Sequence, residues 1–173
     1  MQIEMKGSAM SASLSMIEQK LESMGLKLPS PPRPIANYLP AVEVGNILYV
    51  SGTLGTIRDE NDQDIIPIKG KLGGELTIEQ GYESAKLMAL NHLALMKKAI
   101  GDLDRIERIV KMVGYVNSAP GFTEAHLVLN GASDLYEALL GTERGKHARA
   151  ALFQNELGLD APVEAEMTVQ LKS

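Results

Sequence analysis

The chain of 173 residues contains no cysteine. Disulfides, thiolate metal sites and a cysteine nucleophile are therefore excluded, and the composition fits a reducing compartment. No apolar run approaches the roughly 20 residues that a membrane span requires. The start also lacks the apolar segment of a secretion signal, so the sequence reads as cytoplasmic with no membrane partner. Basic clusters are missing as well. The formal net charge is −5 and the pI is near 5.2. Binding to a phosphate backbone needs a basic surface, so no nucleic-acid partner is expected. A glycine-rich phosphate loop, a G-x-S-x-G elbow and a histidine pair at metal spacing are all absent, which removes the commoner enzyme classes.

What the sequence does contain is clearest near its C-terminus. From Val163 to Leu171, Val163, Ala165, Met167, Val169 and Leu171 alternate with Glu164, Glu166, Thr168 and Gln170. Period-two patterning of this kind predicts a strand with one face in a core and the other polar. A preceding strand, His147 to Phe153, offers Ala148, Ala150 and Leu152 as its apolar face. That phase places Arg149 away from the core, on the side of Glu164 and Glu166. If the two strands pair, a guanidinium and one or two carboxylates share the uncovered face of a sheet, together with Phe153.

The remaining elements follow from periodicity and breakers. Leu14, Ile17, Leu21 and Met24 predict a helix over Ser11 to Gly25, and five prolines between Leu28 and Pro40 predict an extended connector. Two β-branched runs, Ala41 to Val44 and Ile47 to Ser51, flank Gly45-Asn46 as a hairpin. Thr53 to Gly74 reads as a polar, solvated loop whose acidic residues lack the ligand order of a calcium site. Thr77 to Gln80 is a capping box opening a long helix to Ile100, with His92 inside its apolar row. Ile106 to Asn117 predicts a central strand, and Phe122 to Leu140 a second helix. The fold class is α+β: a two-layer sandwich of a mixed sheet with two long helices on one face. Residues 1–33 form an N-terminal extension and 34–173 the domain.

The run Tyr38-Leu39-Pro40-Ala41-Val42-Glu43-Val44-Gly45-Asn46 with Val50-Ser51-Gly52, the pair Ala148-Arg149 and the motif Pro162-Val163-Glu164-Ala165-Glu166 resemble the Rid/YjgF family. These are reactive-intermediate deaminases, also named L-PSP endoribonucleases. The resemblance covers residues from about Pro34 onward. It implies a chorismate-mutase-like fold, a homotrimer with clefts between subunits, and hydrolysis of enamines or imines such as 2-aminoacrylate to 2-oxo acids and ammonia. No metal or organic cofactor is implied. Arg149 would clamp the substrate carboxylate and Glu164 would position or activate water, with Tyr38, Ser51, Gly52 and Ala151 lining the cleft. The residue types suit that chemistry. An arginine offers a fixed fork matched to a carboxylate, and a sequestered glutamate can have its pKa raised toward the working range.

Three alternatives stay open at the level of sequence. Arg149 and Glu164 could instead be a cross-strand ion pair contributing about 0.2–1 kcal/mol. The chain could be a non-catalytic trimer binding small carboxylates or partner proteins, because Ala150 and Ala151 stand where many deaminating members carry a hydroxyl or thiol. The endoribonuclease reading ranks below both, given the acidic balance. His147, two residues before Arg149, is a candidate general base, and His126 a weaker one.

Overall fold

The computed structural model describes residues 14–173; residues 1–10 and the Ser11–Ser13 start of the expected first helix lie outside them. In chain order the elements are α1 (Met16–Ser23), β1 (Ala41–Val44), β2 (Ile47–Leu54), β3 (Ile57–Arg58), β4 (Asp64–Ile65), α2 (Ile78–Ile100), a 3-10 turn (Leu103–Arg105), β5 (Ile106–Asn117), α3 (Ala125–Leu140), α4 (Thr142–Gly145), β6 (Ala148–Gln154), a second 3-10 turn (Gly158–Asp160) and β7 (Val163–Leu171). Five strands form one sheet in the order β1-β2-β7-β5-β6. Only β5 and β6 run parallel, because α3 carries the chain back between them. The expected two-layer α+β architecture is what the chain adopts. No helix among the described residues is long and apolar enough to cross a membrane.

Local signals explain most of the boundaries. Thr77 accepts from Gln80 N, and Gln80 Oε1 accepts from Thr77 N (3.3 and 2.9 Å), which closes the capping box of α2. At its other end Gly101 takes φ +81°. The β1–β2 hairpin turns through Gly45 at φ +60°. The loop from Thr53 onward is more ordered than its polarity suggested. β2 continues to Leu54, and β3 and β4 make a small hairpin. Two of its carboxylates are taken by arginines: Asp62 pairs with Arg33 and Arg58, and Asp64 with Arg58 at 3.1 Å. The short α1 docks where Asp104 accepts from Met16 N (2.7 Å) and Ile17 N (3.2 Å), while Glu18 pairs with Lys97 at the end of α2.

β7 lies between β2 and β5. Leu48, Val50, Met112, Val163, Ala165, Met167 and Val169 meet α2 and α3 in the core. The opposite face is open and carries Val42, Tyr49, Val113, Tyr115, Glu164, Glu166 and Thr168. Two sequence expectations are corrected here. β6 and β7 do not pair, because β5 separates them. The phase of β6 is also the reverse of the one its apolar residues suggested. Register sets Arg149 opposite Met112 and Ala151 opposite Gly114, both on the helix face, while Ala148, Ala150 and Leu152 lie on the open face. Phe153 likewise turns to the helix face, where its ring meets Phe122 edge-on at 6.5 Å. As an edge strand beside the polar flank of α3, β6 has no deep core to impose the apolar phase, so three small or modest apolar side chains do not outweigh the partners α3 gives Arg149.

The expected core histidine is confirmed. His92 is fully buried, with Nε2 2.9 Å from the Ala165 carbonyl and Nδ1 2.8 Å from the Tyr136 hydroxyl. A carbonyl only accepts, so Nε2 carries the hydrogen and Nδ1 accepts from Tyr136. Burial pushes the His92 pKa down to about 4, partly opposed by the bond to Ala165.

This packing generates two expected outcomes. Gly131 of α3 lies against α2 so closely that an added Cβ would sit 2.0 Å from the Tyr82 carbonyl oxygen. Gly131→Ala must push α2 and α3 away from each other, and we expect a loss of about 3 kcal/mol, read as a thermal midpoint lowered by roughly 6–12 °C. His92 binds fewer protons folded than unfolded between pH 6.5 and 4. Stability therefore holds above pH 6.5 and falls by about 3 kcal/mol as pH drops to 4. Urea titrations at several pH values should show that slope, and the double variant His92→Leu/Tyr136→Phe should lack this contribution.

Candidate functional site

The residues singled out by sequence separate into two groups at distant places on the sheet. The first gathers around an irregularity in β2, where pairing with β7 shifts between Val50 and Thr53. Such a bulge re-aims side chains. Ser51 donates from its backbone N to the Pro40 carbonyl (2.9 Å) and from Oγ to the Leu39 carbonyl (2.7 Å), and so ties the proline-rich connector over the bulge. Tyr38, Pro40, Ser51, Gly52 and Leu54 line a cavity of about 70 Å³, walled on its apolar side by Ile35 and Leu159. Glu164 of β7 lies over Gly52. A Cβ there would sit 2.1 Å from Glu164 Oε1, so only glycine leaves this carboxylate its place. Burial raises the pKa of Glu164, and the neighbouring Glu166 raises it further. The structure thus brings Tyr38, Ser51 and Gly52 to one cavity, with Glu164 outside its lining but against Gly52.

The second group is on β6. Arg149 Nη1 donates to Asn130 Oδ1 (3.0 Å) and Ser133 Oγ (2.9 Å), and Nη2 donates to the His126 carbonyl (3.1 Å). All three acceptors belong to α3 and all are neutral. Three of the five guanidinium N–H groups are used in this way. Nε–H and one Nη2–H have no partner among the described residues, which leaves two donors of the fork for a carboxylate. No carboxylate among the described residues pairs with Arg149; Asp134 acts on it only through space. Ala151, next but one on the strand, is partly buried against the core.

Sequence reasoning missed Asn130 and Ser133 as partners of this arginine. Their i, i+3 spacing puts them on one helix flank, but nothing in the sequence said which strand that flank would meet. His147 is also engaged. Its Nδ1–H donates to the Gly145 carbonyl (2.7 Å), its Nε2 is 3.2 Å from Ser133 Oγ, and its ring meets Tyr136 edge-on. His126 contributes its carbonyl to Arg149.

Arg149 and Glu164 do not form the ion pair that the strand patterns allowed. They are on opposite faces, two strands apart, and Arg149 is level with Met167. With strands about 4.8 Å apart and about 3.3 Å per residue, their Cα atoms are separated by roughly 14 Å. One small molecule cannot bridge them within one copy of the chain.

Comparison with known proteins agrees with this architecture. The family model described as "YjgF/chorismate mutase-like, putative endoribonuclease" matches residues 18–164. Protein TCP17 of Trypanosoma cruzi is 40% identical over 157 residues, which cover 91% of this chain and 95% of TCP17. The crystal structure of Atu1372 from Agrobacterium tumefaciens, a protein of unknown function, is similar at 40% identity with a TM-score of 0.80, covering 91% of this chain and 93% of Atu1372. A Shewanella oneidensis structure carrying the endoribonuclease description matches at 30% identity and a TM-score of 0.81, over 90% of this chain and 99% of its own. Sheet order, the bulge at Ser51-Gly52 and these matches lead to one conclusion: the chain belongs to the YjgF/chorismate-mutase-like family, the Rid/YjgF proteins.

Proposed function

We propose that this protein hydrolyses small enamines and imines bearing a carboxylate, releasing a 2-oxo acid and ammonia, at sites completed between copies of the chain. The observation that carries this reading is the half-satisfied Arg149. Its guanidinium is oriented by three neutral acceptors, has no ion pair among the described residues, and keeps two N–H donors unused. A planar fork with free donors can orient a planar conjugated carboxylate, which a lysine's point charge would not.

Glu164 supplies the other requirement. A half-buried carboxylate whose pKa is raised can accept a proton from attacking water near neutral pH more readily than an ordinary surface glutamate. In balance, water adds to the protonated imine carbon with its proton passing to Glu164. The tetrahedral carbinolamine then takes that proton back on nitrogen and expels ammonia, while its hydroxyl proton passes to Glu164 and on to the released ammonia as the C=O of the 2-oxo acid forms. Because the two residues are roughly 14 Å apart on opposite faces, the reading requires Arg149 of one copy beside the Glu164 corner of another. The open face supports self-association: Tyr49, Val42, Val44 and Leu152 are all substantially exposed on it. A protein of the same fold at 16% identity, TdcF of Escherichia coli, is described with bound serine, a ligand of the size such a fork accepts. The endoribonuclease description gains no comparable support, since the chain carries a net charge of −5 and places Glu164 and Glu166 together at this face.

Purified protein supplied with enzymatically generated 2-aminoacrylate should accelerate pyruvate formation. Arg149→Ala should lower kcat/KM by about 100-fold, the loss of a charge-assisted pair of hydrogen bonds, and Glu164→Gln should lower kcat while retaining affinity for 2-oxo acids. Binding of 2-oxo acids with no turnover by the unaltered protein would instead identify a carboxylate-binding protein. Gly52→Ala tests the corner separately. Its added Cβ meets the flexible end of Glu164 rather than backbone, so the thermal midpoint should change by a few degrees at most while kcat falls by about tenfold or more.

A further inference from the structure

We propose that Arg149, Ser133 and His147 form a single site for a carboxylate and a proton, so that capture of a small carboxylate at Arg149 is accompanied by uptake of a proton on His147 Nε2. The inference rests on the carboxylate-binding reading of Arg149 and adds a positioning role for His147 and a second role for Ser133.

The Ser133 hydroxyl has one hydrogen to give and two lone pairs to fill. His147 Nδ1 faces the Gly145 carbonyl at 2.7 Å and must carry a hydrogen, so in the neutral ring Nε2 is a bare acceptor. Ser133 Oγ, 3.2 Å away, therefore points its only hydrogen at His147. One of its lone pairs is already taken by Arg149 Nη1 at 2.9 Å. In this state Ser133 has no donor left for a ligand. Once His147 is protonated, Nε2–H becomes the donor to Ser133, both lone pairs of the hydroxyl are filled by Arg149 and His147, and the O–H is released to turn toward an anion on the guanidinium. Proton and ligand thus favour each other through one rotating hydroxyl.

Charge acts in the same direction. Burial holds the His147 pKa below its ordinary value; the bond to Gly145 opposes that shift and the nearby Arg149 charge adds to it. A carboxylate on the guanidinium cancels that opposing charge. The other ionisable groups on the surrounding elements are occupied elsewhere. Lys146, beside His147, pairs with Glu137 of α3 at 3.5 Å. Asp134 of α3 accepts from the Tyr82 hydroxyl of α2 at 2.9 Å. Arg144 of α4 donates to the Ile106 and Glu107 carbonyls. Tyr136 presents its ring to His147 and its hydroxyl to His92. Lys111 of β5 is opposite Ala148 on the open face. Arg149 is the charge left to sense the ligand. Coupling between two ligands is reciprocal, so a proton that tightens the anion is itself bound more tightly in the anion's presence.

The test is calorimetric titration with 2-oxobutyrate, which stays ionised throughout, at pH 6.5 in buffers of different ionisation enthalpy. The unaltered protein should take up a measurable fraction of a proton per anion bound, and its affinity should rise several-fold per unit between pH 7.5 and 6. His147→Gln should bind without uptake and without that slope, and Ser133→Ala should weaken the slope. In the unaltered protein, the NMR titration of the His147 ring should move to higher pH when 2-oxobutyrate is added, with His126→Gln used to assign it. Binding that is lost in Arg149→Ala yet releases the same heat in every buffer would overturn the coupling and leave the carboxylate clamp standing. Absence of any binding would remove both.

Discussion

The position of β7 between β2 and β5 is the constraint from which both candidate half-sites descend. Its buried residues face Leu48, Val50 and Met112. A slip of one residue in either pairing would carry Glu164 and Glu166 into that core, and burying unpaired carboxylates costs far more than any compensating contact. The register is thereby fixed. Glu164 is held opposite Tyr115 on one side and beside the bulge of β2 on the other, where Gly52 has no side chain to displace it. The same register sets how far β5 extends along β7, and so where the parallel strand β6 must lie.

The second half-site depends on a different property of the fold, the flank of α3 above an edge strand. Arg149 reaches that flank and finds an amide oxygen, a hydroxyl and a carbonyl. Had Asn130 or Ser133 been an aspartate, the guanidinium would hold a permanent ion pair, and an arriving carboxylate would have to displace it. Neutral acceptors orient the fork without cancelling its charge. Arg58, which braces the β3–β4 hairpin, takes carboxylates instead.

Most of the fold was legible because its signals are local. Thr77 to Gln80 is a complete capping box, the β7 stretch alternates without interruption, and the β-branched runs around Gly45 leave one hairpin pairing. His92 was readable as a core histidine from its place in an apolar row, though its partners, Tyr136 and the Ala165 carbonyl, come from elements remote in sequence. The Glu164 corner was legible only through family likeness. The phase of β6 was not legible at all. Alanine is small enough to occupy either face of a strand, so Ala148, Ala150 and Ala151 gave no firm vote, and the deciding contacts come from Asn130 and Ser133 through a crossover that sequence does not fix in space. The β3–β4 hairpin was hidden for a similar reason. It is held by Arg33 and Arg58 on acidic side chains, and a charged stretch with glycines reads as solvated loop.

If the two half-sites work together, their placement also limits how copies can meet. The Glu164 corner sits on β2 and β7, while Arg149 sits on β6 at the other end of the sheet. These are different surfaces of one copy, so a contact that joins them is either reciprocal about a two-fold axis or head-to-tail. A two-fold contact of that kind pairs each copy's Arg149 with the other's Glu164 corner and completes two sites per dimer. A head-to-tail contact that closes on itself gives a ring, with as many complete sites as copies and no half-site left over. The open sheet face, too apolar around Tyr49 and Leu152 to be a purely solvated surface and too polar around Glu166 and Thr168 to be a core, suits the inside of such a ring. There each copy's exposed apolar residues would be covered by its neighbours, and the carboxylates would remain near the water that the proposed hydrolysis consumes.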